Sequence, residues 1–188
     1  TEEQVSFYAA TKKENEIMAK TYSYLYNLPI TGLRIFTAYG PWGRPDMSYF
    51  RFADQHFAGK PIHLYINGQS KENLYRDFTY IDDLIEAIVR LMASPSDEVP
   101  PYQIFNIGNS QPVKLMDFVK TLEKSFSKSL GKEIVFRKVF ETMKRGDVPA
   151  THASSKKLYQ KIGFQPQTPL EEGLQKFADW YVDYYKIQ

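Results

Sequence analysis

The feature that most restricts the fold of this chain is an apolar, branched run from Ile30 to Thr37 that comes directly after a helical pattern. Apolar residues recur at three- and four-residue steps from about Phe7 to Leu28, and Asn27 and Pro29 end the pattern. An apolar run of strand length without polar alternation is typical of the interior of a parallel sheet. A helix that leads into such a strand is half of a βαβ unit, so the sequence predicts an α/β fold.

The strand that begins this βαβ unit would have to lie before Thr1. We therefore expect the chain to be the C-terminal part of a longer parallel-sheet protein. Further strand-like runs cover residues 62–66, 76–80, 102–107 and 134–139, and helical patterns cover 48–58, 82–92 (with Asp82 as its cap), 115–128 and 155–162. The sequence Thr168-Pro169-Leu170-Glu171 predicts a last helix with a capping box and with proline at its first position.

Composition excludes several classes of function. The net charge of +2 comes from 24 basic and 22 acidic residues without a long block of one sign, which gives no electrostatic case for binding nucleic acid or a membrane surface. Cysteine is absent, and the three histidines have no metal-binding spacing, so we expect no metal site. No apolar run approaches the ~20 residues of a membrane-spanning helix. These properties favour a cytosolic protein whose partners are small molecules or copies of itself.

A loop with two glycines and two prolines follows the first predicted strand, from Ala38 to Met47. This composition fits neither a helix nor a regular strand. Ligands of open parallel sheets bind beyond the carboxyl ends of the strands, where this loop would lie. The loop is therefore a candidate ligand-binding segment, and a purely structural turn is the alternative.

Tyr8 and Lys12 form a Tyr-x-x-x-Lys pair that would lie one turn apart on the same face of the first helix. A fixed ammonium stabilises a phenolate, and this makes a phenol usable as an acid and base near neutral pH. In a chain with 14 tyrosines, about one such pair is expected by chance. The pair gains weight only from the sequence that follows it.

Five sequence blocks, in order across nearly the whole chain, resemble those of UDP-glucuronate 4-epimerases, which belong to the extended short-chain dehydrogenase/reductase superfamily of nucleotide-sugar enzymes. The blocks are Tyr8-Ala9-Ala10-Thr11-Lys12, Arg34-Ile35-Phe36-Thr37, Tyr39-Gly40-Pro41-Trp42-Gly43-Arg44-Pro45-Asp46-Met47, Arg76-Asp77-Phe78-Thr79-Tyr80-Ile81-Asp82-Asp83 and Gly146-Asp147-Val148-Pro149-Ala150-Thr151. The resemblance implies the C-terminal part of such an enzyme, and the block from Trp42 to Met47 carries most of the subgroup assignment.

The resemblance implies a C-terminal remnant of a Rossmann-type parallel sheet plus a smaller mixed α/β substrate-binding domain. Residues 1–45 would end a truncated NAD-binding domain, and residues 46–188 would mainly bind the nucleotide sugar, with some segments returning to the Rossmann sheet. The Gly-rich turn that binds NAD is missing, because the nearest candidate, the segment from Gly40 to Gly43, does not open a helix. We therefore expect the fragment alone to be inactive and the full-length enzyme to be a homodimer.

The resemblance also assigns the chemistry. Tyr8, as a phenolate stabilised by Lys12, would take the proton of the sugar C4 hydroxyl while NAD accepts the hydride, and Lys12 would also bond to the nicotinamide ribose. Oxidation at C4 places a ketone beta to the C6 carboxylate, an arrangement that loses carbon dioxide easily. Thr37 and Arg44 match family positions near that carboxylate, which they would hold. The alternative for Arg44 is a loop arginine that anchors its own turn.

The remaining matches concern the nucleotide. Arg76 and Arg145 would grip the diphosphate, and Asp147 would bind the uridine ribose hydroxyls. Leu64 and Tyr65 would flank uracil, although core packing explains them nearly as well.

The sugar stays open in this interpretation, since a UDP-glucose/galactose 4-epimerase, a UDP-glucuronate decarboxylase and a sugar dehydratase share these matches. A non-catalytic nucleotide-sugar-binding module is the further alternative.

Overall fold

The computed structural model describes residues 6–66, 74–142 and 150–188. The described residues form six helices and seven strands in mixed order. The helices are α1 Phe7–Tyr26, α2 Ser48–Phe57, α3 Ile81–Met92, α4 Leu115–Leu130, α5 Lys156–Ile162 and α6 Leu170–Tyr185. The strands are β1 Ile30–Ile35, β2 Thr37–Tyr39, β3 Ile62–Ile66, β4 Tyr75–Tyr80, β5 Tyr102–Ile107, β6 Pro112–Lys114 and β7 Lys138–Thr142. None of the described helices has the length and apolar character needed to cross a membrane.

Parallel pairing dominates the sheets. Strand β1 pairs with β5 in parallel, β2 pairs with β4 in parallel, and β3 pairs with β7 in parallel. Strand β6 adds to β4 in the antiparallel direction. The α/β fold expected from the sequence is therefore confirmed.

The run from Ile30 to Thr37 forms two strands. Strand β1 ends at Ile35, and Phe36 donates its N–H to Ile107 O at 3.1 Å, at the end of β5. From Thr37 the chain pairs with β4 instead, where Thr37 lies opposite Phe78. The change of partner at Phe36 passes the chain from one sheet to the next.

The main hydrophobic core lies between α2, α4, α6 and the strands β3 and β4. Phe78 of β4 stacks on Phe118 of α4, with ring centres 4.3 Å apart. A second cluster joins α3, β5 and α5 through Leu84, Phe105 and Leu158. Strand β4 is covered by the main core, which fixes the strand that carries Arg76.

Strand β7 begins at Lys138, four residues later than the sequence pattern predicts. Two backbone N–H groups before it are taken by side chains of α4. Ile134 donates to Ser127 Oγ at 2.9 Å, and Phe136 donates to Glu123 Oε1 at 2.6 Å. These contacts leave residues 134–137 outside the strand.

The predicted capping box of the last helix is wrong, because α6 begins at Leu170 and has no side-chain cap. Asp83 of α3 holds the preceding segment instead, since its Oδ2 accepts the N–H groups of Gln167 at 2.9 Å and Thr168 at 2.8 Å. Helix α3 itself begins at Ile81, so Asp82 lies in its first turn and is not its cap.

Helix α1 is fixed to β1 on one side and is open on the others. Glu16 accepts two hydrogen bonds from Arg34, at 2.6 and 2.8 Å, and its backbone O accepts one from Tyr102 Oη at 3.0 Å. Ser23 is the one buried residue of the helix. Its exposed large side chains are Phe7, Tyr8, Ile17, Met18, Tyr22, Tyr24, Leu25 and Tyr26.

Candidate active site

Tyr8 and Lys12 lie in the first turns of α1. Ser6 begins the helix, since its Oγ accepts the N–H of Ala9 at 3.1 Å. Lys12 Nζ lies 5.5 Å from the centre of the Tyr8 ring, and the Tyr8 side chain is open to solvent. The helical spacing expected for the pair is confirmed. Their chemical roles stay predictions.

The loop after β2 packs tightly on two neighbours. Ala38 and Tyr39 still belong to β2, so the loop is shorter than the sequence predicts. A Cβ on Gly40, where φ is 140°, would lie 2.7 Å from Ile81 Cγ2, and a Cβ on Gly43 would lie 1.8 Å from Tyr49 Oη. The two glycines therefore allow the loop to approach α3 and α2 more closely than any other residue would.

Trp42, at the tip of the loop, contacts helix α6. Its backbone adopts φ of 60°, a left-handed conformation that is uncommon for a residue with a side chain. The centre of its ring system lies 5.2 Å from that of Trp180 and 5.2 Å from that of Tyr184, and these two α6 residues stack at 5.3 Å. We call Trp42, Trp180 and Tyr184 the aromatic anchor, because they attach the loop to α6.

Arg44 of this loop is held by Asp46. Arg44 Nε lies 2.5 Å from Asp46 Oδ1, and Nη2 lies 2.9 Å from Oδ2, so the pair is bidentate. The guanidinium lowers the pKa of Asp46, and Asp46 raises the pKa of Arg44. Tyr8 is close enough to add a smaller electrostatic contribution to the pKa of Arg44. The contact with Asp46 corresponds to the alternative that Arg44 anchors its own turn. A role of Arg44 in binding the sugar stays a prediction.

Thr37 and Arg76 lie on neighbouring parallel strands. Thr37 begins β2 and is half-buried, and its partner on β4 is Phe78, two residues beyond Arg76. Arg76 Nη1 donates to Tyr75 O at 2.9 Å. Both side chains thus belong to the β2–β4 sheet that leads into the Arg44 loop and into α3.

The two residues expected beside uracil differ in their surroundings. Leu64 is 1% exposed and belongs to the main core, in agreement with the alternative of core packing. Tyr65 points to the other side of β3, is half-buried and pairs with Glu141 of β7. Arg145 and Asp147 lie outside the described residues, and so does the Gly146 block around them.

Asp77 is a buried carboxylate that the sequence analysis did not single out. It is 0% exposed, its Oδ1 accepts the N–H of Asn109 at 2.9 Å, and its Oδ2 accepts the N–H of Ala153 at 2.9 Å. Its own N–H donates to Thr151 Oγ1 at 3.1 Å. Burial raises the pKa of Asp77, and these N–H donors oppose that shift. The sequence signal that could have identified Asp77 is a carboxylate between Arg76 and Phe78, inside a strand pattern.

No group of three or more possible metal ligands occurs among the residues that the structure describes.

The comparisons with known proteins agree with one another. The sequence profile of the NAD dependent epimerase/dehydratase family matches residues 1–108. The chain is 48% identical to Protein CapI of Staphylococcus aureus, covering 97% of this chain and 56% of that protein. It is 43% identical to UDP-glucuronate 4-epimerase 1 of Arabidopsis thaliana, covering 98% of this chain and 44% of that protein.

A solved structure shares the fold. The UDP-glucuronic acid 4-epimerase of Bacillus cereus, in complex with UDP-glucuronic acid and NAD, superposes with a TM-score of 0.81 at 30% identity. The match covers 96% of this chain and 54% of that one, so the chain spans about half the length of the relatives it matches. The resemblance to UDP-glucuronate 4-epimerases is confirmed at this level. The chain belongs to the NAD dependent epimerase/dehydratase family.

Proposed function

We propose that this chain supplies the sugar-nucleotide site and the Tyr–Lys pair of an NAD-dependent 4-epimerase that interconverts UDP-glucuronate and UDP-galacturonate. The observation that carries the proposal is the position of Arg44, whose exposed guanidinium lies on the loop that follows β2, the strand that begins with Thr37. An exposed cation on that loop suits a sugar that carries a carboxylate one carbon away from the reacting group. The names of the Arabidopsis and Bacillus relatives support the same substrate.

Tyr8 is the proton acceptor in this proposal. Its phenolate takes the proton of the C4 hydroxyl, and the same proton returns to the C4 oxygen when the carbonyl is reduced. The Lys12 ammonium, 5.5 Å from the Tyr8 ring, stabilises the phenolate. NAD, when bound, accepts the hydride of C4 and returns it. Inversion follows because the 4-keto sugar turns over before the reduction.

The residues present fit one end of NAD. The side chains of Tyr8 and Lys12 are open to solvent on the outer side of α1, where the ammonium can donate to a ribose hydroxyl. The loop between Gly40 and Gly43 does not lead directly into a helix, since α2 begins at Ser48. We infer that the NAD pyrophosphate binds to a Gly-rich turn beyond these 188 residues, and that the 188 residues alone are inactive.

Arg44 and Thr37 would bind the sugar carboxylate. A 4-keto uronic acid is a beta-keto acid, and it loses carbon dioxide when the carboxyl carbon–carbon bond aligns with the carbonyl π system. Charge-assisted hydrogen bonds hold the carboxylate in another orientation. Arg44 is the charged partner and Thr37 the neutral one.

The nucleotide half of the substrate would lie along β4. Arg76 and Arg145 would neutralise the diphosphate, and Asp147 would accept hydrogen bonds from the uridine ribose. Tyr65 suits the uracil ring better than Leu64, because Tyr65 is half-buried and Leu64 fills the core.

We also propose two domains, residues 1–45 with the Tyr–Lys helix and residues 46–188 with most of the sugar-nucleotide site. The pairing of β5 with β1 supports the idea that a segment of the second part returns to the first sheet.

A homodimer through α1 belongs to the same proposal. The exposed side of the helix carries Met18, Tyr22, Leu25 and Tyr26, and the rings of Tyr22 and Tyr26 lie 5.5 Å apart. An apolar helix face of this size in a soluble protein normally contacts another surface. We expect the Leu25→Ser variant to shift toward monomer. Sedimentation of this variant and of the parent chain tests the proposed dimer.

The bidentate contact of Arg44 with Asp46 also admits a second candidate. If this contact serves only the loop, the sugar need not carry a carboxylate, and the chain would fit a UDP-glucose 4-epimerase or a nucleotide-sugar-binding module.

Calorimetric titrations separate these candidates. We expect the 188-residue chain to bind UDP-glucuronate more tightly than UDP-glucose and to show no binding of NAD alone. Equal affinities for the two sugars would favour the second candidate. Stoichiometric NAD binding would contradict the inference that the pyrophosphate site lies elsewhere.

A further inference from the structure

The ion pair between Arg44 and Asp46 is unusual because it is bidentate and yet exposed. The side chains retain 73% and 65% of their solvent exposure. Exposed ion pairs in general contribute little to folding stability, and bidentate Arg–carboxylate pairs are the exception because their geometry is well defined. The two-point contact with Asp46 therefore fixes the orientation of the guanidinium.

The atoms in the contact show which side of the guanidinium is used. Asp46 takes the side edge of the guanidinium, formed by Nε and one hydrogen of Nη2. A guanidinium has a second bidentate edge at its end, formed by Nη1 and the other hydrogen of Nη2. Asp46 does not occupy that end. Arg44 Nη2 also lies 3.9 Å from Met47 Sδ, a weak acceptor that a carboxylate can replace, so a second carboxylate can bind at the end while the contact with Asp46 is kept.

The backbone of the loop is fixed independently of this ion pair. Gly43 packs against the Tyr49 hydroxyl, and Trp42 packs against Trp180 of α6. Met47 donates its N–H to Arg44 O at 3.0 Å. The remaining freedom is that of the long Arg44 side chain, which is restrained by the two contacts with Asp46 and by a weaker contact with Met47 Sδ at 3.9 Å.

We propose that Asp46 is a specificity-determining positioning residue, which orients Arg44 so that the guanidinium end not bound by Asp46 receives the carboxylate of a uronic acid. This inference rests on the proposed function, since it requires a sugar carboxylate at Arg44. Asp46 acts through Arg44 and does not itself touch the substrate. It therefore determines how strongly the site distinguishes a uronic acid from a neutral hexose.

The test compares the affinities of the 188-residue chain for UDP-glucuronate and for UDP-glucose by calorimetry. We expect Asp46→Asn to lower the preference for UDP-glucuronate about tenfold, because a freely rotating Arg44 loses part of a charge-assisted bidentate contact. The affinity for UDP-glucose should stay within about twofold, since that sugar has no carboxylate for Arg44. The matched control is Asp97→Asn, a carboxylate with 93% side-chain exposure whose contact is with Lys161, where neither affinity should change.

The two tryptophans of the chain, Trp42 and Trp180, both belong to the aromatic anchor, so intrinsic fluorescence reports the loop backbone. We expect Asp46→Asn to keep the emission spectrum of the parent chain and Tyr184→Ala to shift it. An altered spectrum in Asp46→Asn would assign Asp46 to the fold of the loop and overturn the proposal.

The outcomes distinguish this inference from the proposed function. An unchanged sugar preference in Asp46→Asn, or an equal loss for both sugars, overturns the inference and leaves the proposed function intact. Tighter binding of UDP-glucuronate by Asp46→Asn overturns it as well, because Asp46 would then be a competitor for Arg44. If the parent chain shows no preference for UDP-glucuronate, both the inference and the uronate-specific function fail.

Discussion

The carboxylate of Asp77 accepts the backbone N–H of Ala153 at 2.9 Å, although 76 residues separate the two in the sequence. The other oxygen of Asp77 accepts the N–H of Asn109. One buried side chain thus joins β4, the segment after β5 and the segment before α5. Because β4 carries Arg76, Asp77 stabilises the part of the fold from which the proposed diphosphate contact extends.

We expect Asp77→Asn to lower the free energy of unfolding by about 2 kcal/mol, because an amide can accept on only one of the two sides and presents an N–H₂ to the other donor. Urea denaturation followed by circular dichroism measures it. Asp97→Asn, on the surface, should change the midpoint little. A change as small for Asp77→Asn as for this control would contradict the account of the buried carboxylate.

The ion pair of Glu16 with Arg34 should make the stability depend on acid pH. Arg34 holds the pKa of Glu16 below its usual value of 4.5, so the folded state binds the proton less readily than the unfolded state. The stabilisation is therefore fully present above pH 4.5 and is lost as the pH falls through the lowered pKa.

In Glu16→Gln we expect a loss of about 1 kcal/mol at neutral pH that shrinks toward zero in acid. Urea titrations of both proteins at about pH 7 and about pH 3 measure the difference. A loss of the same size at both pH values would show that the charge of Glu16 does not stabilise the contact.

Gly43→Ala should displace the Arg44 loop, because the new Cβ would lie 1.8 Å from Tyr49 Oη. We expect a destabilisation of about 1–3 kcal/mol, the usual cost of forcing an atom into a packed site. Adding Tyr49→Phe removes the nearest clashing atom, although ring carbons remain at 2.7 and 3.0 Å. The double variant should recover part of the loss in a thermal melt, and no recovery would mean that another contact limits the position.

The aromatic anchor (Trp42, Trp180 and Tyr184) should stabilise the position of the Arg44 loop on α6. Trp180→Phe keeps an aromatic ring on α6, whereas Trp180→Ala removes it. We expect Trp180→Ala to weaken UDP-glucuronate binding about tenfold and Trp180→Phe to weaken it less, since aromatic contacts contribute about 0.5–1.5 kcal/mol beyond their buried area. Calorimetry measures the affinity of each variant and of the parent chain for UDP-glucuronate. If Trp180→Ala binds as tightly as the parent chain, the loop does not depend on its contact with α6.

The sequence was sufficient for the α/β class, for most helices and for the spacing of Tyr8 and Lys12, because these depend on local periodicity. It failed where a distant side chain determines the backbone. The late start of β7 follows from Ser127 and Glu123 on α4, and the start of α6 follows from Asp83 on α3. No local pattern in residues 134–139 or 168–171 contains that information.

The candidate site also has features that the sequence could predict and features that it could not. A family resemblance identified Arg44, but its bidentate contact with Asp46 could be seen only in the three-dimensional structure. The burial of Leu64 could not be distinguished from a place beside uracil, because a strand residue next to a binding site and a core residue show the same apolar pattern.

The proposed function assigns Tyr8 and Arg44 to the inversion of a UDP-uronic acid. The most direct test fuses this chain to the remainder of the Staphylococcus aureus relative, adds UDP-glucuronate and NAD, and identifies the products by nuclear magnetic resonance. We expect UDP-galacturonate from the parent fusion and loss of turnover in its Tyr8→Phe variant. A UDP-pentose as the main product, or no turnover by a fusion that folds and binds NAD, would rule out this role for the two residues.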